Sequence, residues 1–193
     1  MAIALKSAQR IELTSILNRV KKKQEAFRSI ETEKGQAEER LKRLTADLPN
    51  LRAQAAASPD DARITELVVC ERKITFTQEA IAQFEQTLQS EGIALFREIK
   101  AASVSLHGLL FGLLEDVKAS VVAKIAGIFS EQGKAERLAN ESDPVTRLRE
   151  FANRATCYIS APTADSDPML AASHVTEQVE NLIAGRVQLG MAD

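Results

Sequence analysis

Apolar residues recur every seven positions over the first quarter of the chain. One series is Leu13, Val20, Phe27, Lys34, Leu41 and Leu48. The other, three residues on, is Ile16, Lys23, Ile30, Ala37, Leu44 and Leu51. Ten of these twelve positions are apolar, the pattern of a helix that buries one stripe against another helix. The two exceptions are lysines, whose long stems can lie along apolar surface while the ammonium reaches water. A helix is therefore predicted from about Ser7 to Leu48 or a little beyond.

A second series follows at Leu67, Ile74, Ile81, Leu88 and Leu95, with weaker companions at Cys70, Thr77, Phe84 and Glu91. Its seam looks narrower, with a phase shift expected near Glu91 and Gly92. Between the two series, Pro49 is expected to end or kink the first helix near Leu48. Ser58-Pro59-Asp60-Asp61 reads as a helix start, with Ser58 as the cap, Pro59 at the first helical position and two acids at the positive end. The alanine-rich stretch 53–57 either extends the first helix or belongs to the connection. The simplest antiparallel register sets Leu13 against Leu95, Val20 against Leu88, Phe27 against Ile81 and Leu41 against Leu67, with the turn centred near residue 54. Lys23 then faces Glu85, and Lys34 faces Ile74. At about 1.5 Å per residue a 40-residue helix spans roughly 60 Å, so this hairpin is expected to be a rod.

Residues 101–130 are the most apolar part. Leu106, Leu110, Leu113, Val117, Val121, Ile125 and Ile128 share one helical face, and Leu109, Leu114, Val122 and Phe129 widen it beyond a coiled-coil seam. Gly108, Gly112, Ala119, Ala123 and Gly127 are small positions that another backbone could approach. This segment either continues the second helix or follows a kink near Gly92 or Gly108, and ends or bends at Glu131-Gln132-Gly133. Ser-Asp-Pro then occurs twice, at 142–144 and 166–168, as helix-start chemistry. The first opens a helix to about Tyr158, the second a helix to about Leu189, with a loop at 161–166 between them and a frayed end from Gly190. The expected fold is all-α: a long antiparallel coiled-coil hairpin over 1–100, with its turn near 48–59, then an apolar helix and two or more shorter helices forming a small bundle over 101–193.

Composition agrees with long helices. In 193 residues there are 8 Gly, 5 Pro, no Trp and 4% aromatics, too few turn formers for a sandwich or barrel. Charge favours the pairing. Residues 1–58 carry 12 Lys and Arg against 7 Asp and Glu, whereas 59–100 carry 5 against 8. A basic helix beside an acidic one favours association and sets orientation. The longest uncharged run, 101–114, is short of a membrane span, and the apolar start at Ile3-Ala4-Leu5 is too short for a signal peptide. A soluble, cytoplasmic protein is expected, with Cys70 and Cys157 as buried thiols and a single disulfide between them as the alternative.

No motif points to catalysis. Gly127 to Lys134 looks like a phosphate loop, but five residues separate its glycines where the motif needs four, and Ala135 stands where Ser or Thr would hold magnesium. His174 and Glu177 share a face, yet no Glu lies three residues before either histidine, as a carboxylate-bridged metal bundle requires. His107 reads as a buried or boundary structural histidine. No Gly-x-Ser-x-Gly elbow occurs. Lys21-Lys22-Lys23 is the only basic run, and Glu25, Glu31, Glu33, Glu38 and Glu39 are interleaved with the basic residues beyond it, so nucleic-acid binding is not expected. No cofactor or metal is expected, and no enzymatic activity. The expected role is a scaffold, adaptor or assembly subunit that binds a protein partner or itself as a homo-oligomer. Its candidate interaction surface is Leu109, Phe111, Leu114, Val122 and Phe129, apolar beyond what one seam uses. The alternative is a membrane-active protein in which residues 104–129 contact or insert into lipid.

Overall fold

A computed structural model gives the fold and describes residues 5–126, 132–159 and 167–187. Every element among the described residues is a helix or helical turn, with no strand among them. The elements are α1 (Ser7–Ala57), α2 (Asp61–Ala126), α3 (Gln132–Glu141), α4 (Asp143–Ala155), a 3-10 turn (Cys157–Ile159) and α5 (Pro168–Ile183). Helices α1 and α2 pack against each other, as the all-α hairpin reading requires. Phe129, the 161–166 loop and the chain end lie outside the described residues. The chain separates into two compact units: Glu25–Ile93, and Met1–Gln24 together with Ala94–Asp193. The expected boundary at residue 100 falls inside the second of these.

Within 25–93, α1 and α2 form an antiparallel pair. All the predicted seam positions turn inward: Phe27, Cys70 and Thr77 are buried, and Ile30, Lys34, Ala37, Leu41, Leu44, Leu67, Ile74, Ile81, Phe84 and Leu88 are half-buried. The register, however, is not the simple one. Lys34 Nζ meets Glu85 Oε1 at 3.0 Å, and a Cβ on Gly92 would lie 3.5 Å from the Phe27 ring. Both contacts displace α2 by eleven positions from the expected partners, Ile74 and Ile81. Arg52 reaches Glu71 at 2.9 Å near the turn.

The displacement follows from where the turn sits. Pro49 removes one N–H from α1, but the helix runs through it to Ala57. The alanine-rich stretch after it is strongly helix-forming and carries α1 on. The connection is therefore only Ser58, Pro59 and Asp60. Asp60, rather than Ser58, caps α2: its Oδ1 accepts the Arg63 N–H at 2.7 Å. Eleven residues is very close to three whole helical turns. The register can move by that much and still leave the same apolar face inward.

Helix α2 is unbroken at Gly92 and Gly108, so the apolar segment, which lies in the other unit, is its continuation. Leu95, Ile99, Ala102, Leu106, Leu110, Leu113 and Val117 form its buried face, with Leu13, Ile16 and Val20 of α1 in the same core. Helix α3 packs on α4, and α4 on α5. Helix α5 is joined to α1 by Lys21–Glu180 at 2.6 Å and by Gln24 Nε2 donating to Ser173 Oγ at 2.9 Å. Val145, Leu148, Phe151, Val175, Val179 and Leu182 complete the core.

The two Ser-Asp-Pro tripeptides open helices one position out of step. At α5, Asp167 is the cap and accepts the N–H groups of Met169 and Leu170. At α4, Ser142 occupies the cap position, but its hydroxyl donates to Ala139 O at 2.6 Å, satisfying the end of α3 instead. Helix α5 also stops six residues earlier than expected. Gly185 adopts φ +65, and the Arg186 N–H returns to Asn181 O at 2.9 Å. That closing bond with a left-handed glycine ends the helix at Ile183.

Candidate interaction surface

The inward and outward faces of α2 after Ala94 are distinct. The inward face is the leucine-rich row described above. The outward face runs Arg97, Ala101, Val104, Gly108, Phe111, Gly112, Glu115 and Ala119, and all of these are exposed. Val104 is 52% and Phe111 57% exposed, high for large apolar side chains in the middle of a long helix. Beside them, a Cβ added at Gly108 or Gly112 would meet nothing within 4 Å. The result is two apolar projections beside two notches. His107, expected to be buried or at the boundary, is instead exposed, and its ring stacks near Phe111 with centroids 6.4 Å apart.

The five candidate residues do not form one patch. Leu109 is buried and belongs to the core, so it is not available to a partner as the fold stands. Phe111, two positions on, points away from it. Leu114 and Val122 are half-buried, and Phe129 lies outside the described residues. Residues two apart sit on nearly opposite sides of a helix, so the apparent widening of one face combined two faces. Val104 and the two open glycines were not among the candidates. The signal for them was an i, i+4, i+7 series at 104, 108 and 111, small or apolar throughout.

Two other surfaces carry chemistry. A cleft of about 580 Å³ beside α4 and α5 is lined by Arg147, Glu150, Arg154, His174, Gln178 and Arg186, among others. Gly185 places Arg186 there by ending α5. Arg147 is already held by Asp143 at 3.0 Å, and Glu150 stands among the guanidinium groups, so much of the positive charge is offset. His174 meets Tyr158 edge-on, with ring centroids 5.6 Å apart. Burial raises the Tyr158 hydroxyl above its ordinary pKa, and neighbouring Cys157 adds to this. In the 25–93 unit, a groove of about 550 Å³ is bordered by Ala37, Arg40, Phe76, Ala80 and Phe84, with Phe76 67% exposed.

No group of three metal-ligating side chains comes together among the described residues. Cys70 is a buried free thiol against Leu44 O, as expected, whereas Cys157, also expected to be buried, is free and exposed in the 3-10 turn after α4. No described helix is long and apolar enough to cross a membrane. Comparison with protein-family models, curated proteins and solved structures finds no match.

Proposed function

We propose that this chain is a non-enzymatic interaction protein, a scaffold or assembly subunit, and that the outward face of α2 is where it binds another protein helix. The observation that carries this reading is the pairing of exposed Val104 and Phe111 with the open Gly108 and Gly112. Large apolar groups in water are unfavourable unless something covers them. Small residues beside them allow a second helix backbone to come close. The unbroken α2 holds these residues at set intervals.

The test is a photo-crosslinking amino acid placed at 104 or 111, with exposed Asn153 as the control position. Covalent adducts with protein should form at 104 and 111 well above the control. Equal yields at all three positions would remove the reading. A second reading is lipid contact by the same face, favoured by exposed Phe111. Against it, the face carries Arg97 and Lys100 at one end and Glu115 and Asp116 at the other, whereas interfacial helices concentrate basic residues. Flotation with anionic vesicles at low salt should leave the protein in the dense fraction. Co-flotation that is lost in Phe111→Asp would favour lipid instead.

A further inference from the structure

We infer that the occupant of this face is a second copy of the chain, with its α2 docked antiparallel to the first across a two-fold axis level with residue 106. This rests on the reading of the outward face as an interaction surface and names its partner.

Three separate features of the face share one centre. Arg97 and Glu115 are eighteen residues apart, five whole turns at 3.6 residues per turn, so they lie at one helical angle. Both are exposed, and neither has an ion-pair partner among the described residues. Their midpoint is residue 106. Val104 and Gly108 have the same midpoint, and so do Ala101 and Phe111. A two-fold axis at that level brings Arg97 of each copy against Glu115 of the other. It brings each Val104 against the notch at Gly108, and each Phe111 over the small Ala101. Opposite charges meet twice at the rim, and large groups meet small ones inside, the self-complementarity a two-fold interface requires. Parallel pairing would set Arg97 on Arg97, Glu115 on Glu115 and Phe111 on Phe111. Like charges in contact oppose association, so the antiparallel arrangement is the one the face specifies.

Five turns is about 27 Å of helix at 1.5 Å per residue. One such helix pair buries less than the roughly 1,600 Å² of a standard interface. The dimer should therefore be reversible, with a concentration-dependent mass rather than a permanent one.

The experiment is light scattering after size exclusion on the full chain over a wide concentration range. The mass should rise from 21.1 kDa toward twice that value. Arg97→Glu alone and Glu115→Arg alone should each weaken self-association by roughly tenfold or more, since two attractive contacts become repulsive. Mixing the two single variants should restore a dimer, because every rim contact is then attractive again, and the double variant should dimerise by itself. Gly108→Leu serves as the folding control. Nothing within 4 Å opposes the new side chain in the monomer, and glycine is the poorer helix residue, so melting should not fall while dimerisation is lost. A chain that stays at 21.1 kDa throughout overturns the inference. A dimer that ignores the single charge reversals, or single variants that fail to recover on mixing, overturns it too. Monomeric protein that still crosslinks another protein through position 111 would overturn this inference and leave the interaction reading standing.

Discussion

The 25–93 unit and the unit made of 1–24 with 94–193 draw on the same seven-residue apolar pattern and bury it to different depths. In the first, Ile30, Leu41, Leu44, Ile74, Ile81 and Leu88 are only half-buried. In the second, Leu13, Val20, Leu95, Leu106 and Leu110 are fully buried. Two helices packed alone shield their seam from each other but leave its flanks to water. Further helices close those flanks, and α5 does this beside Lys21 and Gln24 of α1. A coiled-coil pattern thus specifies which side faces inward, and the number of neighbouring helices decides how much that side contributes to stability.

The largest expected effect separates the two units directly. Leu110→Ala removes a fully buried side chain and should cost about 2–5 kcal/mol, as a transfer loss plus an unfilled cavity. Ile74→Ala, with its flank open to water, should cost about 1–2 kcal/mol, because part of the side chain is hydrated already. Urea denaturation with an unchanged m-value measures both. Equal costs would break the comparison, since they would mean that something else covers the hairpin seam in solution.

Glycine substitution should differ in sign between Gly185 of one unit and Gly35 of the other. Gly185 holds a left-handed conformation, and Ala there should cost about 1–2 kcal/mol. Gly35 lies inside α1 of the hairpin with nothing within 4 Å of an added Cβ. Ala at that position should stabilise by about 0.5–1 kcal/mol through helix propensity. Thermal melting of the two variants should move in opposite directions. Movement in the same direction would mean that backbone conformation is not what distinguishes these glycines.

What could be read before folding, and what could not, divides along physical lines. Periodicity reports a face, so the seam from Leu13 to Leu48 and from Leu67 to Leu95 was legible. It does not report register, because a shift of three turns keeps the face, and only the turn decides among such shifts. The turn was misplaced because Pro49 has a strong local cost, whereas the helix propensity that outweighs it is spread over several alanines. Leu109 and Phe111 show a related difficulty. Both raise local hydrophobicity, but one is core and the other exposed, and only the angular position on the helix separates them. The proposed pairing of Arg97 with Glu115 corresponds in the sequence to a spacing of eighteen residues, with no local pattern to mark it.

The smallest expected effect concerns a charge within the hairpin seam. Lys34 occupies an apolar seam position and reaches Glu85 at 3.0 Å and Glu38 at 3.4 Å. Its hydrogen bond to Glu85 holds its pKa above the ordinary 10.5, against a smaller opposing effect of burial. The charged form is thus favoured more in the folded hairpin than in the unfolded chain. The resulting stabilisation is fully present below 10.5 and is lost as pH rises through the folded value. Lys34→Met keeps a long apolar stem across the seam and removes the titration. This variant should match the parent near neutral pH, because an ion pair this open to water contributes little. Above pH 10.5 the parent hairpin should weaken relative to the variant. A high-pH slope that Lys34→Met leaves as it is in the parent would mean that the seam position of Lys34 gives its charge no special role.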